Sequence, residues 1–131
     1  TILCIDDNDD ARNLTVKVLS GLPGASVLQA SDAAEGLALA RELRPDLILM
    51  DINMPGIDGY AALTALRDHP ETRMIPVIAL TSSASIADIE RGRIAGFNRY
   101  LTKPYDIHYL LDIVDQLTGG AERAEVVRGG R

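Results

Sequence analysis

The stretch Asp46-Leu47-Ile48-Leu49-Met50-Asp51-Ile52-Asn53-Met54-Pro55-Gly56-Ile57-Asp58-Gly59 constrains the fold more than any other. Leu47 to Met50 form an apolar run with no polar alternation, too short for a helix and closed by a Pro-Gly turn signal. Such a run suits a strand covered on both faces, the habit of parallel sheets. That strand needs helices above and below it. It also delivers Asp51 to the carboxyl edge of the sheet, where open α/β sheets bind ligands. Taken alone, Asp51 reads equally well as a cap for the next turn, and the rest of the chain has to separate the two readings.

Ile2-Leu3-Cys4-Ile5 reads as a first buried strand that runs into Asp6-Asp7-Asn8-Asp9-Asp10. A helix from Asp9 or Asp10 to Ser20 places Ala11, Leu14, Val18 and Leu22 on one face, and its early aspartates favour the helix start. Ser26 to Ala30 is a weaker strand near an edge. Asp32 and Glu35 resemble a capping pair that opens a second helix, with Ala34, Leu37, Ala38 and Arg41 on one face and a stop before Pro45. A third helix runs from near Asp58-Gly59 through Leu63 and Leu66 towards His69-Pro70. Pro76 opens a buried strand, Val77 to Leu80, that ends in Thr81-Ser82-Ser83. A fourth helix, Ser85 to Ala95, is expected to bury Ile86, Ile89 and Ala95, with Gly96 closing it. Asn98 to Leu101 is a short fifth strand leading to Thr102-Lys103-Pro104. Asp106 caps a last helix with Ile107, Leu110, Leu111, Val114 and Leu117 at helical spacing; Tyr109 and Ile113 fall beside that stripe. Residues 119–131 read as a tail or linker after a domain of residues 1–118. The alternation predicts a (βα)5 α/β fold, a doubly wound parallel sheet of five strands.

With 131 residues there is room for one domain and one core. A net charge of −6 argues against a basic nucleic-acid surface. No apolar run is long enough to span a membrane and no leader is visible, so the expected location is cytoplasmic, without direct membrane contact. A first residue other than Met suggests a segment of a longer chain, whose parent could itself be membrane-anchored. The single cysteine, Cys4, lies in an apolar run and reads as a buried small hydrophobe.

Four of the strands end in polar residues that suit a common chemistry, namely Asp6 and Asp7, Asp51, Thr81 and Lys103. In a parallel sheet these ends share an edge. Carboxylates there could hold Mg2+ and leave room for water and phosphate. One aspartate could accept a phosphoryl group as an acyl phosphate, with the metal and lysine offsetting charge on the transferring oxygens. His69 and His108 lack a phosphotransfer context and read as solvated helix residues, so the phosphate donor lies elsewhere.

These stretches together resemble a response-regulator receiver domain, the phosphoacceptor module of two-component signalling. The matching segments are Ile5-Asp6-Asp7-Asn8, Leu49 to Gly59, Ile78-Ala79-Leu80-Thr81 and Tyr100-Leu101-Thr102-Lys103-Pro104. The resemblance implies a flavodoxin-like sheet of order 2-1-3-4-5. It implies that Asp51 takes phosphate from the phosphohistidine of a kinase. It also implies that Asp6, Asp7, Asp51 and the Asn53 carbonyl bind Mg2+, while Lys103 and Thr81 contact the phosphoryl group. Thr81 and Tyr100 would be the switch pair, Asn53 and Ser83 the positions that tune autodephosphorylation, and Lys103-Pro104 a cis bond. Such a domain catalyses its own phosphorylation and dephosphorylation. The implied partners are a histidine kinase domain, in the same chain or in trans, and a histidine phosphotransfer protein. A second copy could pair through the fourth helix, fifth strand and fifth helix. The Asp51 and Tyr100 segments are most like receivers attached to hybrid sensor histidine kinases; a stand-alone single-domain regulator is the alternative.

Other readings fit less well. A flavodoxin-type FMN carrier needs a phosphate loop after the first strand, where four aspartates would repel phosphate. A dehalogenase-type phosphatase needs a second aspartate where Asn53 stands. An EF-hand beginning at Asp51 would need its bidentate glutamate where Ala62 stands. A receiver fold that only binds partners and never accepts phosphate does not need the intact acidic set.

Overall fold

The computed structural model describes residues 1–53, 59–82 and 85–118. Ten elements alternate: β1 (Ile2–Ile5), α1 (Asp9–Leu19), β2 (Val27–Ala30), α2 (Ala33–Leu43), β3 (Leu47–Asp51), α3 (Gly59–Asp68), β4 (Val77–Thr81), α4 (Ile86–Ala95), β5 (Arg99–Thr102) and α5 (Ile107–Leu117). The strands form one parallel sheet in the order β2-β1-β3-β4-β5. This is the expected doubly wound arrangement, and the weak strand β2 is indeed an edge.

Burial explains the apolar runs. Every residue of β1, β3 and β4 is buried, because helices cover both faces. On one face Leu3, Ile5, Ile48, Met50, Val77 and Ala79 meet Ala40 of α2 and Leu63 and Leu66 of α3. On the other, Cys4, Leu47, Leu49, Ile78 and Leu101 meet Leu19 of α1 and Leu110, Ile113 and Val114 of α5. Each fully buried leucine or isoleucine contributes roughly 1.5–3 kcal/mol by leaving water. Cys4 sits in this layer, and burial pushes its thiol up to about 12, so it stays a neutral thiol.

Asp32 and Asp106 cap their helices as the sequence suggests, and Asn8 and Ser85 prove to be caps as well. Asn8, Asp32, Ser85 and Asp106 each accept a hydrogen bond from the backbone N–H three residues on. Glu35 Oε1 reaches back to the Ser31 N–H at 3.3 Å. Gly96 closes α4 at φ 111°, a left-handed conformation that glycine adopts without strain.

Four helix faces differ from the sequence expectation. In α2 the buried residues are Ala33, Gly36 and Ala40, while Ala34, Ala38 and Arg41 of the expected face are exposed. In α1 the buried residues are Thr15 and Leu19, while Leu14 is exposed. The Thr15 hydroxyl is satisfied by the Ala11 carbonyl at 3.0 Å and the Tyr105 hydroxyl at 2.5 Å, so a polar residue can face inward. In α4 the buried residue is Gly92; Ile86, Ile89 and Ala95 are exposed, as is Ile94. Apolar periodicity cannot register a glycine, and the inward position of α4 is occupied from the sheet side by the ring of Tyr100. In α5, Ile113 joins the core while Ile107 and Tyr109 remain exposed. The expected tail, residues 119–131, lies outside the described residues.

Candidate functional site

The sheet register brings the strand ends level. Ile5 pairs with Met50, Asp51 with Leu80, and Thr81 with Thr102. Asp6, Asp51, Thr81 and Lys103 therefore emerge along one carboxyl edge, and the Lys103 N–H donates to the Thr81 carbonyl at 2.6 Å.

Asp6 and Asp51 are buried, at 3% and 6% exposure, whereas Asp7 is open to solvent. Each buried carboxylate is held on both oxygens. Asp6 Oδ1 accepts the Asn8 N–H at 3.0 Å, and Asp51 Oδ1 accepts the Asn53 N–H at 2.8 Å. Their Oδ2 atoms share Lys103, whose Nζ lies 3.3 Å from Asp6 and 3.1 Å from Asp51. Burial pushes the Asp6 carboxyl up; the Asn8 N–H and Lys103 pull against it, and Asp51 pushes the same way as burial. Burial would lower Lys103, but its hydrogen bond to Asp51 and the charges of Asp51 and Asp6 outweigh that and raise it.

Asp6, Asp7 and Asp51 each offer one oxygen, all within 4.8 Å of one another. Three hard oxygen donors on one open side fit Mg2+, which takes oxygens about 2.1 Å away and keeps several waters. The raised Asp6 group has a consequence that can be measured. The fold favours its neutral form, so this contribution to stability is present below the unfolded value and lost as pH rises through the folded one. Lys103 only partly offsets the cost of burying the ionised Asp6 carboxylate. Asp6→Asn is therefore expected to raise metal-free stability by about 1 kcal/mol and to abolish the Mg2+-induced rise in Tm. Thermal melts with and without chelator check this, and a lower metal-free Tm would mean that the pairing with Lys103 outweighs burial.

The other edge of the site is wired through Asn53. Its side-chain oxygen accepts the Thr81 hydroxyl at 3.0 Å and the Ser82 N–H at 3.3 Å. Behind Thr81 lies a cavity of about 190 Å³ lined by Asn53, Thr81, Tyr60, Asp88, Arg91 and Tyr100. The Tyr100 hydroxyl is buried next to that of Tyr60, with no partner at full hydrogen-bond geometry among the described residues. Its ring fits only because residue 92 is glycine: a Cβ there would lie 2.6 Å from Cδ2 and 2.8 Å from Cε2. Tyr60 packs edge-on against Phe97 at 5.7 Å, and the Arg91 guanidinium sits 4.0 Å above its ring. Burial, followed by the neighbouring Tyr100, raises the Tyr60 hydroxyl pKa.

Asp6, Asp7, Asp51, Asn53, Thr81 and Lys103 are thus brought together, with Tyr100 adjoining them behind Thr81. The Lys103-Pro104 bond is cis. Ser83 lies outside the described residues, as do 54–58. The sequence reading missed Arg12, whose guanidinium donates to the Asp6 carbonyl at 2.7 Å. Its only sequence signal was an i,i+3 spacing from Asp9. It also missed the Thr15–Tyr105 bond, which joins α1 to the segment after Lys103.

Comparisons with known proteins agree with this geometry. The family model described as "Response regulator receiver domain" matches residues 2–115. The DNA-binding dual master transcriptional regulator RpaA of Synechocystis is 37% identical over 98% of this chain and 56% of its own. The chain thus spans little more than half of that relative. Protein PilH of Pseudomonas aeruginosa is 38% identical over 91% of this chain and 98% of its own. Among solved structures, the receiver domain of a Pseudomonas aeruginosa sensor histidine kinase matches with a TM-score of 0.82 and 35% identity. That match covers 90% of this chain and 96% of the other, which is described with a magnesium ion coordinated in its active-site cleft.

Proposed function

The chain belongs to the response regulator receiver domain family, and we propose that Asp51 is its phosphoacceptor, charged from a histidine kinase phosphohistidine. The observation that carries this reading is the buried Asp51 carboxylate, flanked by Asp6 and Asp7 and bound 3.1 Å from Lys103. A carboxylate oxygen of Asp51 attacks phosphorus, the P–N bond breaks with its electrons returning to the imidazole, and an acyl phosphate remains. Mg2+, held by Asp6, Asp7, Asp51 and the Asn53 carbonyl, would supply charge neutralisation on the transferring oxygens. Lys103 leaves its carboxylate partners to pair with the phosphoryl group.

Thr81 carries the message onward. Its hydroxyl exchanges Asn53 Oδ1 for a phosphoryl oxygen, which alters the wall of the cavity behind it. Tyr100, whose hydroxyl is buried beside that of Tyr60, follows inward. Asn53 and Ser83 then tune how fast water removes the phosphate. The readout face is α4, β5 and α5, where Ile86, Ile94, Arg99 and Tyr109 are exposed, and a second copy of the chain is the candidate occupant.

We place the domain within a kinase-linked phosphorelay, supported by the sequence character of the Asp51 and Tyr100 segments and by the likeness to a kinase receiver. A histidine phosphotransfer protein is the second candidate partner. Next to Asp6 and Lys103, Leu14, Val18, Tyr105 and Ile107 line an apolar groove suited to the helix that presents the phosphohistidine. Among the described residues no helix is long and apolar enough to cross a membrane.

The test is a thermal melt with Mg2+ and beryllofluoride, an acyl-phosphate mimic. Together they are expected to stabilise the domain by about 3 kcal/mol at a hundredfold excess over Kd. An unchanged Tm overturns the phosphoacceptor reading.

A further inference from the structure

We propose that Arg12 is a positioning residue that sets the geometry of the cation site, a role that rests on the reading of Asp6, Asp7 and Asp51 as the metal ligands. Arg12 is the fourth residue of α1, yet its side chain is only 12% exposed. The guanidinium is held from three sides. Nη1 donates to the Asp6 carbonyl at 2.7 Å, Nη2 to Asp9 Oδ1 at 2.6 Å, and Nε to Gln29 Oε1 at 3.1 Å. One planar group therefore ties the end of β1, the first turn of α1 and the edge strand β2.

The bond to the Asp6 carbonyl matters most. That oxygen belongs to the peptide unit joining Asp6 to Asp7. The Asp6 N–H is fixed separately, to the Ala30 carbonyl at 3.1 Å. With both sides of Asp6 held, the orientation of the Asp6–Asp7 peptide plane is set, and so are the directions in which the two side chains leave the backbone. One of those side chains is buried against Lys103 and the other is solvated. Only a fixed backbone keeps their oxygens within reach of one cation. A guanidinium does this better than an ammonium, because its donors lie in a rigid fork. The same fork draws the Asp9 carboxylate towards itself, so Asp9 is engaged at the turn.

Electrostatics alone gives the opposite expectation. Arg12 is a cation beside an acidic turn, so its removal should strengthen Mg2+ binding. Positioning requires that removal weaken it. The sign of the change therefore separates the two, and calorimetric Mg2+ titration of the metal-free protein reads it without any phosphotransfer. Arg12→Gln is expected to weaken Mg2+ by about tenfold, the range found when groups that orient metal ligands are lost. Arg12→Lys keeps the charge without the fork and is expected to be nearly as weak. Equal or tighter binding by either variant overturns the proposal. Should both fail to fold, Gln29→Ala removes the Nε contact at an exposed position and is expected to weaken Mg2+ by less than loss of the whole guanidinium does; unchanged affinity there overturns it too. If the unmodified chain binds no Mg2+, the metal-site reading falls with it. If the unmodified chain binds and the variants match it, only the role of Arg12 falls.

Discussion

Asp51→Asn is expected to abolish phosphate incorporation from acetyl phosphate or from a phosphorylated kinase while leaving the fold intact. The amide oxygen can still accept the Asn53 N–H that Asp51 Oδ1 now accepts at 2.8 Å, so the β3 terminus keeps its turn. The nucleophile is lost: an amide carbonyl carries no charge, and attack by it would not yield a stable mixed anhydride. A thousandfold loss corresponds to about 4 kcal/mol of transition-state stabilisation, and replacing the attacking atom exceeds that. Intact-mass measurement after incubation with Mg2+ and acetyl phosphate checks it, the unmodified chain gaining one phosphoryl group and the variant none. Hydroxylamine adds chemical identity, since it cleaves acyl phosphates and spares phosphate esters on hydroxyls. Undiminished, hydroxylamine-stable labelling of the variant would move the acceptor to a hydroxyl and defeat the proposed role of Asp51.

The two kinds of sequence signal had different reach. Period and run length located all ten elements, because strands buried on both faces leave unbroken apolar runs and capping residues such as Asp32 and Asp106 mark helix starts. Which face of a short helix turns inward was less legible. It fails where the inward residue is a glycine, as at Gly92, or a hydroxyl satisfied at long range, as at Thr15, which needs Tyr105 ninety residues away. The site follows the same division. Parallel topology puts strand ends on one edge, so Asp6, Asp51, Thr81 and Lys103 could be grouped before any coordinates. Arg12 could not, because its main partner is a backbone carbonyl, and backbone acceptors carry no sequence signature. The burial of the Tyr100 hydroxyl was hidden for the converse reason: sequence places a tyrosine but not what lies next to it.

Lys103→Met is expected to damage the chemistry and the metal-free fold together, in ways that pH and Mg2+ separate. Its ammonium is the cation that bridges Asp6 Oδ2 and Asp51 Oδ2, at 3.3 and 3.1 Å. Removing one partner of a buried ion pair costs roughly 3–5 kcal/mol because a charge is stranded. Here Lys103 is 28% exposed, so water screens part of that, and a loss of about 2 kcal/mol at neutral pH is expected. Asp6 is already raised by burial with Lys103 pulling it down. Without Lys103 it rises further, so the fold then favours protonated Asp6 more strongly, and the deficit of the variant is smallest in acid and grows as pH climbs through the folded value. Mg2+ held by Asp6, Asp7 and Asp51 would supply positive charge to the same acidic cluster and is expected to return most of the lost stability. It does not restore phosphotransfer, because Lys103 is the proposed partner of the developing phosphoryl charge, a contribution of about 10²–10³ in rate. Denaturant melts at acidic and neutral pH, each with chelator and with Mg2+, together with single-turnover phosphorylation, check the pattern. A deficit independent of pH and of Mg2+ would make Lys103 a packing residue and remove it from the proposed site.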